Sequence, residues 1–168
     1  MGEGNADGTY GSVESKERTS SNAWCMEECW EHRVTQAVHD RLELLTGGIP
    51  RSHYEYLQLL GYNQGEFYGQ HHDYIDHHVD PAQGPRTLTV FSYLNDVEAG
   101  GGTHFSQLNQ TVQPKRGRAV IWPSVLDSSP NEKDVRTDHE ALPVKQGVKY
   151  GANAWIHQRD FKTPWKAG

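Results

Sequence analysis

His71-His72-Asp73, His139 and Lys149 are the residues of this chain whose types and spacing point most directly to chemistry. Two imidazoles and one carboxylate on one face of a metal leave its other positions open, the donor set of a ferrous ion that activates dioxygen. In an extended strand, residues i and i+2 point to the same side. His71 and Asp73 can therefore reach one metal with His72 turned away, and His139 supplies a third ligand from a distant strand. An open metal needs a co-substrate, and an inward-pointing lysine needs a partner, because an isolated buried ammonium is costly. A dicarboxylate that meets the metal at one end and Lys149 at the other answers both needs. At ~4 Å and an effective dielectric of ~20 that attraction is on the order of 4 kcal/mol. Lys149 follows His139 at an even offset, which is expected to keep both on the interior face of a regular strand pair. A second H-x-D, His78-Val79-Asp80, stands before Pro81 in a loop and ranks lower, because metal ligands need rigid support. The chain holds 10 His, so the assignment rests on spacing and context, not on abundance.

The elements that must position these residues read as mainly β with a flanking helix. Residues 1–17 form a flexible lead-in, rich in Gly, Ser, Glu and Asn, and 18–168 form one domain. A helix is expected from Met26 to Leu45, with Val34, Ala37, Val38, Arg41, Leu42 and Leu45 on one face covering a sheet; Gly47, Gly48 and Pro50 end it. The period then changes to two. Strands are expected over Tyr56–Tyr62, Phe67–Tyr74, Arg86–Asn95, Thr103–Phe105, Thr111–Gln113, Arg118–Trp122, Glu140–Val144 and Val148–His157. His77–Pro85 and Ser124–Asp138 read as loops. Short strands with Gly/Pro turns at regular spacing argue for a sandwich or jelly roll.

The 168 residues suffice for a single domain with a real core. A net charge of -6 and a pI near 5.9 argue against a nucleic-acid module. No apolar run approaches the ~18 residues of a membrane span, and no secretory signal is visible at the start. The two cysteines, Cys25 and Cys29, are too few for a disulfide scaffold and are expected as free thiols.

Longer pieces of the chain resemble the catalytic domain of prolyl 4-hydroxylases, the Fe(II)/2-oxoglutarate dioxygenases. These are Arg18-Thr-Ser-Ser; Tyr62-Asn-Gln-Gly-Glu-Phe-Tyr68; His71-His-Asp-Tyr74; Arg86; Tyr93-Leu-Asn-Asp-Val-Glu-Ala-Gly-Gly-Gly-Thr-His-Phe105; Lys115-Arg-Gly117 before Ala119-Val-Ile-Trp122; and His139 through Lys149 to Trp155-Ile-His157. The resemblance implies a double-stranded β-helix (jelly roll), here with a shortened N-terminal part. It implies Fe(II) on His71, Asp73 and His139. The C5 carboxylate of 2-oxoglutarate falls to Lys149, with Tyr62 and Thr103 lining the same pocket. Tyr68, Arg86 and Trp155 match positions that contact or orient peptidyl proline, and Tyr74 and Trp122 are further candidates for groove walls. O2 is the second co-substrate, ascorbate a further cofactor, a proline-containing peptide or protein the partner, and the endoplasmic reticulum lumen the compartment. The expected reaction is hydroxylation of proline C4 with decarboxylation of 2-oxoglutarate to succinate. Two alternatives stand beside it: a related oxygenase acting on another substrate, and an inactive β-sandwich binding module. The chain departs from the pattern at Gln70, where Pro is common, and at Thr137-Asp-His-Glu-Ala141, where Asp138 and Glu140 either hold the imidazole or face water.

Overall fold

The computed structural model describes residues 17–76 and 82–163. The lead-in up to residue 16 and the second H-x-D at His78 to Asp80 lie outside the described residues. The chain runs β1 (Ser21–Trp24), α1 (Glu27–Glu31), α2 (Arg33–Leu45), a 3-10 turn at Arg51–His53, β2 (Gln58–Tyr62), β3 (Tyr68–His71), β4 (Arg86–Tyr93), β5 (Ala99–Gly100), β6 (Thr103–Phe105), β7 (Gln110–Val112), β8 (Ala119–Pro123), β9 (Val125–Leu126), β10 (Ser129–Lys133), β11 (His139–Ala141), β12 (Val144–Gln146) and β13 (Lys149–His157). The major sheet has the order β1-β2-β13-β4-β8 and the minor sheet β3-β11-β6-β7, with antiparallel pairing throughout. This is the jelly-roll arrangement of two packed sheets expected from the sequence.

The major sheet is covered on both faces, which is why β13 is buried along almost its whole length. On one face Leu60, Tyr62, Phe91, Tyr93 and Trp122 meet Phe105 and Val144, filling the space between the sheets. On the other, Leu42 and Val38 of α2 pack on Tyr54, Leu57, Val90, Ala154 and Ile156. Burying each of the larger apolar side chains contributes about 1.5–3 kcal/mol. Along β13 the alternation is strict. Lys149 and Asn153 face the inter-sheet cavity, whereas Ala154 and Ile156 face the helix.

Several local expectations are corrected. The single helix is two. His32 is extended (ψ 133) and caps α2 by accepting from Val34 N at its own ring nitrogen. The buried face of α2 is also rotated: His39 and Leu42 are buried, while Val34 and Leu45 are 55% and 53% exposed. The cysteines are not free. Cys25 lies before α1 and Cys29 within it, with Cα atoms 5.0 Å apart and the sulfurs bonded, a separation that suits a disulfide. Ser124–Asp138 is not all loop. β9 and β10 pair within it, although Ser-Pro-Asn-Glu-Lys has little strand propensity. β1, which no alternation announces, forms an edge of the major sheet.

Candidate metal centre

β3 and β11 are neighbours in the minor sheet, and His139 lies directly opposite His71 in their register. Asp73 follows β3 immediately and turns inward. Ligand atoms of His71, Asp73 and His139 lie within 4.8 Å of one another, and His139 Nε2 is 3.9 Å from Asp73 Oδ2. Both imidazoles are oriented by main-chain carbonyls: His71 Nδ1 lies 2.9 Å from Gly69 O, and His139 Nδ1 lies 2.9 Å from Thr137 O. A nitrogen facing a carbonyl carries a proton, so in both rings Nε2 is the nitrogen turned toward a metal. Burial, reinforced by His139, pushes the His71 pKa down to about 4, so the ring is neutral near pH 7. Burial opposes ionisation of Asp73, but His139, His71, Arg86 and the Thr89 hydroxyl together hold its carboxyl below the usual range. Thr89, fully buried on β4, donates to Asp73 Oδ2 at 2.7 Å. Two imidazole nitrogen donors and one carboxylate, each fixed by a second group, fit a ferrous ion with open positions.

His72 is turned away, as the strand period requires. Its Nε2 lies 2.9 Å from Asp134 O and 3.0 Å from Thr137 Oγ1, so it pins the turn that delivers His139. Neither acid beside His139 holds the ring. Asp138 pairs with Lys133 at 3.1 Å, and the orienting acceptor is the Thr137 carbonyl.

Lys149 is 1% exposed, and its Nζ has no hydrogen-bond partner among the described residues. It lies 4.7 Å from the centre of the Tyr62 ring, 5.1 Å from Phe91 and 5.5 Å from Tyr93. Those ring faces attract the cation, but burial still pulls its pKa down to about 7. Lys149, Tyr62, Thr103, Tyr68, His71 and His139 line one cavity, together with Leu60, Phe91, Trp122, Ala141 and Asn153. Its volume is about 30 Å³, room for roughly two waters, so a dicarboxylate must displace some of these side chains. Thr103 is already engaged through Tyr93 Oη at 2.6 Å.

Tyr68 stacks on the His71 ring (3.7 Å, 15°) and carries Arg18 at 4.8 Å on its ring. Arg86 lies 3.8 Å over the Trp155 ring, and Trp24 lies 5.8 Å from Trp155. Arg86 is fixed from behind by the buried Glu55, through Nε at 2.5 Å and Nη2 at 3.0 Å. Glu55 also meets His157 Nε2 at 2.8 Å, and His157 Nδ1 faces Gly84 O at 2.7 Å. Tyr74 is not part of the cavity; its hydroxyl donates to Asn131 O. Sequence reasoning missed Thr89, Glu55, His157, Asn153 and Trp24. For the first four the only signal is the pairing of distant strands, which local spacing does not carry.

The model of the 2OG-Fe(II) oxygenase superfamily matches residues 57–157. The chain is 35% identical over 145 residues to prolyl 4-hydroxylase subunit alpha-2 of Gallus gallus, covering 84% of this chain and 26% of that one. To prolyl 4-hydroxylase subunit alpha-1 of Homo sapiens it is 35% identical over 154 residues, covering 88% and 28%. The chain thus spans between a quarter and a third of the length of these curated relatives. Among solved structures, it is similar to the viral collagen prolyl hydroxylase of Paramecium Bursaria Chlorella virus-1 in its 2OG complex. That match has a TM-score of 0.72 and 31% identity, covering 84% of this chain and 80% of that one. A prolyl-4-hydroxylase from Pseudomonas putida shares the fold at a TM-score of 0.60 and 21% identity, covering 88% and 77%.

Proposed function

The chain belongs to the 2OG-Fe(II) oxygenase superfamily, and from that premise we propose that it hydroxylates peptidyl proline at C4. It would use Fe(II), 2-oxoglutarate and O2, and release succinate and CO2. When bound, the ferrous ion and 2-oxoglutarate supply the oxidising power that replaces a C4 hydrogen by hydroxyl.

The chain's own residues do the positioning. His71, Asp73 and His139 hold the metal. Lys149 holds the far carboxylate of 2-oxoglutarate, with Tyr62 and Thr103 shaping the pocket around it. Arg86, locked by Glu55 and His157, lies flat on Trp155 and offers the peptide a rigid cation–aromatic surface. Tyr68 backs His71 and bounds the same space. A proline-rich segment in polyproline II form suits such aromatic walls, because its conformation is already ordered before binding. The single observation that carries the reading is the buried Lys149 amine, without a hydrogen-bond partner among the described residues, sharing one cavity with the His71 and His139 imidazoles.

The Cys25–Cys29 disulfide supports an oxidising compartment such as the endoplasmic reticulum lumen. Among the described residues no helix is long and apolar enough to cross a membrane.

The test is 2-oxoglutarate turnover against a panel of proline-containing peptides, with mass analysis of the products. One added oxygen on proline, matched by one succinate, is expected. Succinate formation matched instead by oxygen on another acceptor favours the related-oxygenase reading. Absence of both 2-oxoglutarate binding and succinate overturns the enzyme.

A further inference from the structure

Trp122 belongs to the cavity rather than to the peptide groove. It is 4% exposed and its indole Nε1 is buried with no hydrogen-bond partner among the described residues. The ring lies 4.7 Å from His139 and 5.3 Å from Phe105. On β8 it stands opposite Thr89 in the register, and Thr89 is the residue whose hydroxyl holds Asp73. Trp122 therefore sits beside His139 and opposite the residue that holds Asp73, and lines the same cavity as Lys149.

A buried donor left unpaired is costly, and most buried indole N–H groups find an acceptor. Lys149 Nζ and Trp122 Nε1 are two such unpaired donors in one cavity. One is cationic when protonated and suits the far carboxylate of the co-substrate. The other is neutral and lies beside the metal ligands, where the oxygens of the 2-oxoacid group would be.

We infer that Trp122 Nε1–H donates a hydrogen bond to the metal-side 2-oxoacid group of 2-oxoglutarate, making this side chain a co-substrate-positioning residue. The assignment rests on the reading of the cavity as a 2-oxoglutarate site and names its second anchor. No covalent step is involved. The donor fixes the orientation of the bound acid, and its ring keeps water away from His139.

The experiment uses the full chain loaded with Zn(II), which is diamagnetic and cannot turn over. Trp122→Phe keeps a smaller aromatic ring at this position but removes the N–H. Titration calorimetry is expected to show 2-oxoglutarate binding weakened about tenfold, the scale for losing a hydrogen bond to a charged acceptor. Binding of butanoate, which has the far carboxylate but no metal-side 2-oxoacid group, should change less than twofold. In wild-type protein carrying 15N-labelled indoles, the Trp122 Nε1–H resonance, assigned through its own backbone, should move downfield when 2-oxoglutarate is added. The inference is overturned if that resonance stays in place, if the variant binds 2-oxoglutarate within twofold of wild type, or if butanoate is weakened equally. The resonance measurement needs no variant, so misfolding of Trp122→Phe leaves the question decidable. If wild-type protein fails to bind 2-oxoglutarate at all, the cavity reading falls and this assignment falls with it. If wild type binds and only the Trp122 signatures are missing, the cavity reading stands without Trp122.

Discussion

Binding of 2-oxoglutarate should take up a proton on Lys149, and the uptake should set the pH dependence of affinity. In the free protein burial holds the Lys149 pKa at about 7. A carboxylate at about 4 Å with an effective dielectric of about 20 favours the ammonium by about 4 kcal/mol, or about 3 pKa units, which returns the bound value to about 10. Between pH 7 and 10 the free site is mostly neutral and the bound site mostly charged. Apparent Kd then rises as one plus ten to the power of pH minus pKa. With a free-site pKa of about 7, that gives about fiftyfold weaker binding at pH 9 than at pH 7, with about 0.9 proton taken up per ligand at pH 8. Stability of the ligand-free protein runs the opposite way. The folded pKa is below the unfolded value of 10.5, so the unfolded chain binds more protons across this window and stability rises with pH. The assay is calorimetry on metal-loaded protein at pH 8 in two buffers of different ionisation enthalpy. An uptake near zero, or a Kd unchanged from pH 7 to 9, would refute a neutralised lysine as the anchor.

Three other perturbations follow from the same geometry. Thr89→Val removes the hydroxyl that holds Asp73 at almost constant volume; metal affinity should fall about tenfold or more, and an unchanged Mn(II) titration would exclude a supporting role. In Gly151→Ala the new Cβ would lie 2.3 Å from Phe91 Cζ. Because Phe91 walls the Lys149 cavity, denaturant unfolding should show a loss of about 1–3 kcal/mol alongside weaker 2-oxoglutarate binding, and wild-type behaviour in both would contradict the packing. Reducing Cys25–Cys29, which closes a short loop with a sequence separation of 4, should cost about 2 kcal/mol; a melting temperature unmoved by reductant would show that the bond does not constrain the unfolded chain.

The local part of the site was legible because it depends on local geometry. Period two puts His71 and Asp73 on one side, and the structure keeps His72 on the other. The inward Lys149 was anticipated for a reason that does not hold. His139 and Lys149 are on strands of different sheets, and β12 and the turn at Gly147 (φ +87) intervene, so the even offset carried no information about a shared face. What joins them is the packing of the two sheets. Thr89, Glu55 and His157 escaped for the same reason: each acts on a residue far away in the chain, and only strand register and the packing of the two sheets bring them together. The apolar stripe of α2 misled because Val34 and Leu45 satisfy the helical period yet face outward, while His39, which looks polar, is buried against Trp30 and Tyr54.

β13 works as a ruler. It is a central strand, hydrogen-bonded to β2 and β4, and it carries Lys149 near one end and Trp155 near the other. At about 3.3 Å of rise per residue, the distance from Lys149 to Trp155 is graduated by covalent geometry rather than by flexible loops. Lengthening this strand by one residue would turn every later side chain to the opposite face. Lengthening it by two would restore the faces but stretch the scale by about 7 Å, leaving Lys149 and Trp155 on their proper faces at the wrong separation. Diversification of such a scaffold toward new acceptors is therefore confined to the rim, with the graduated strand held constant.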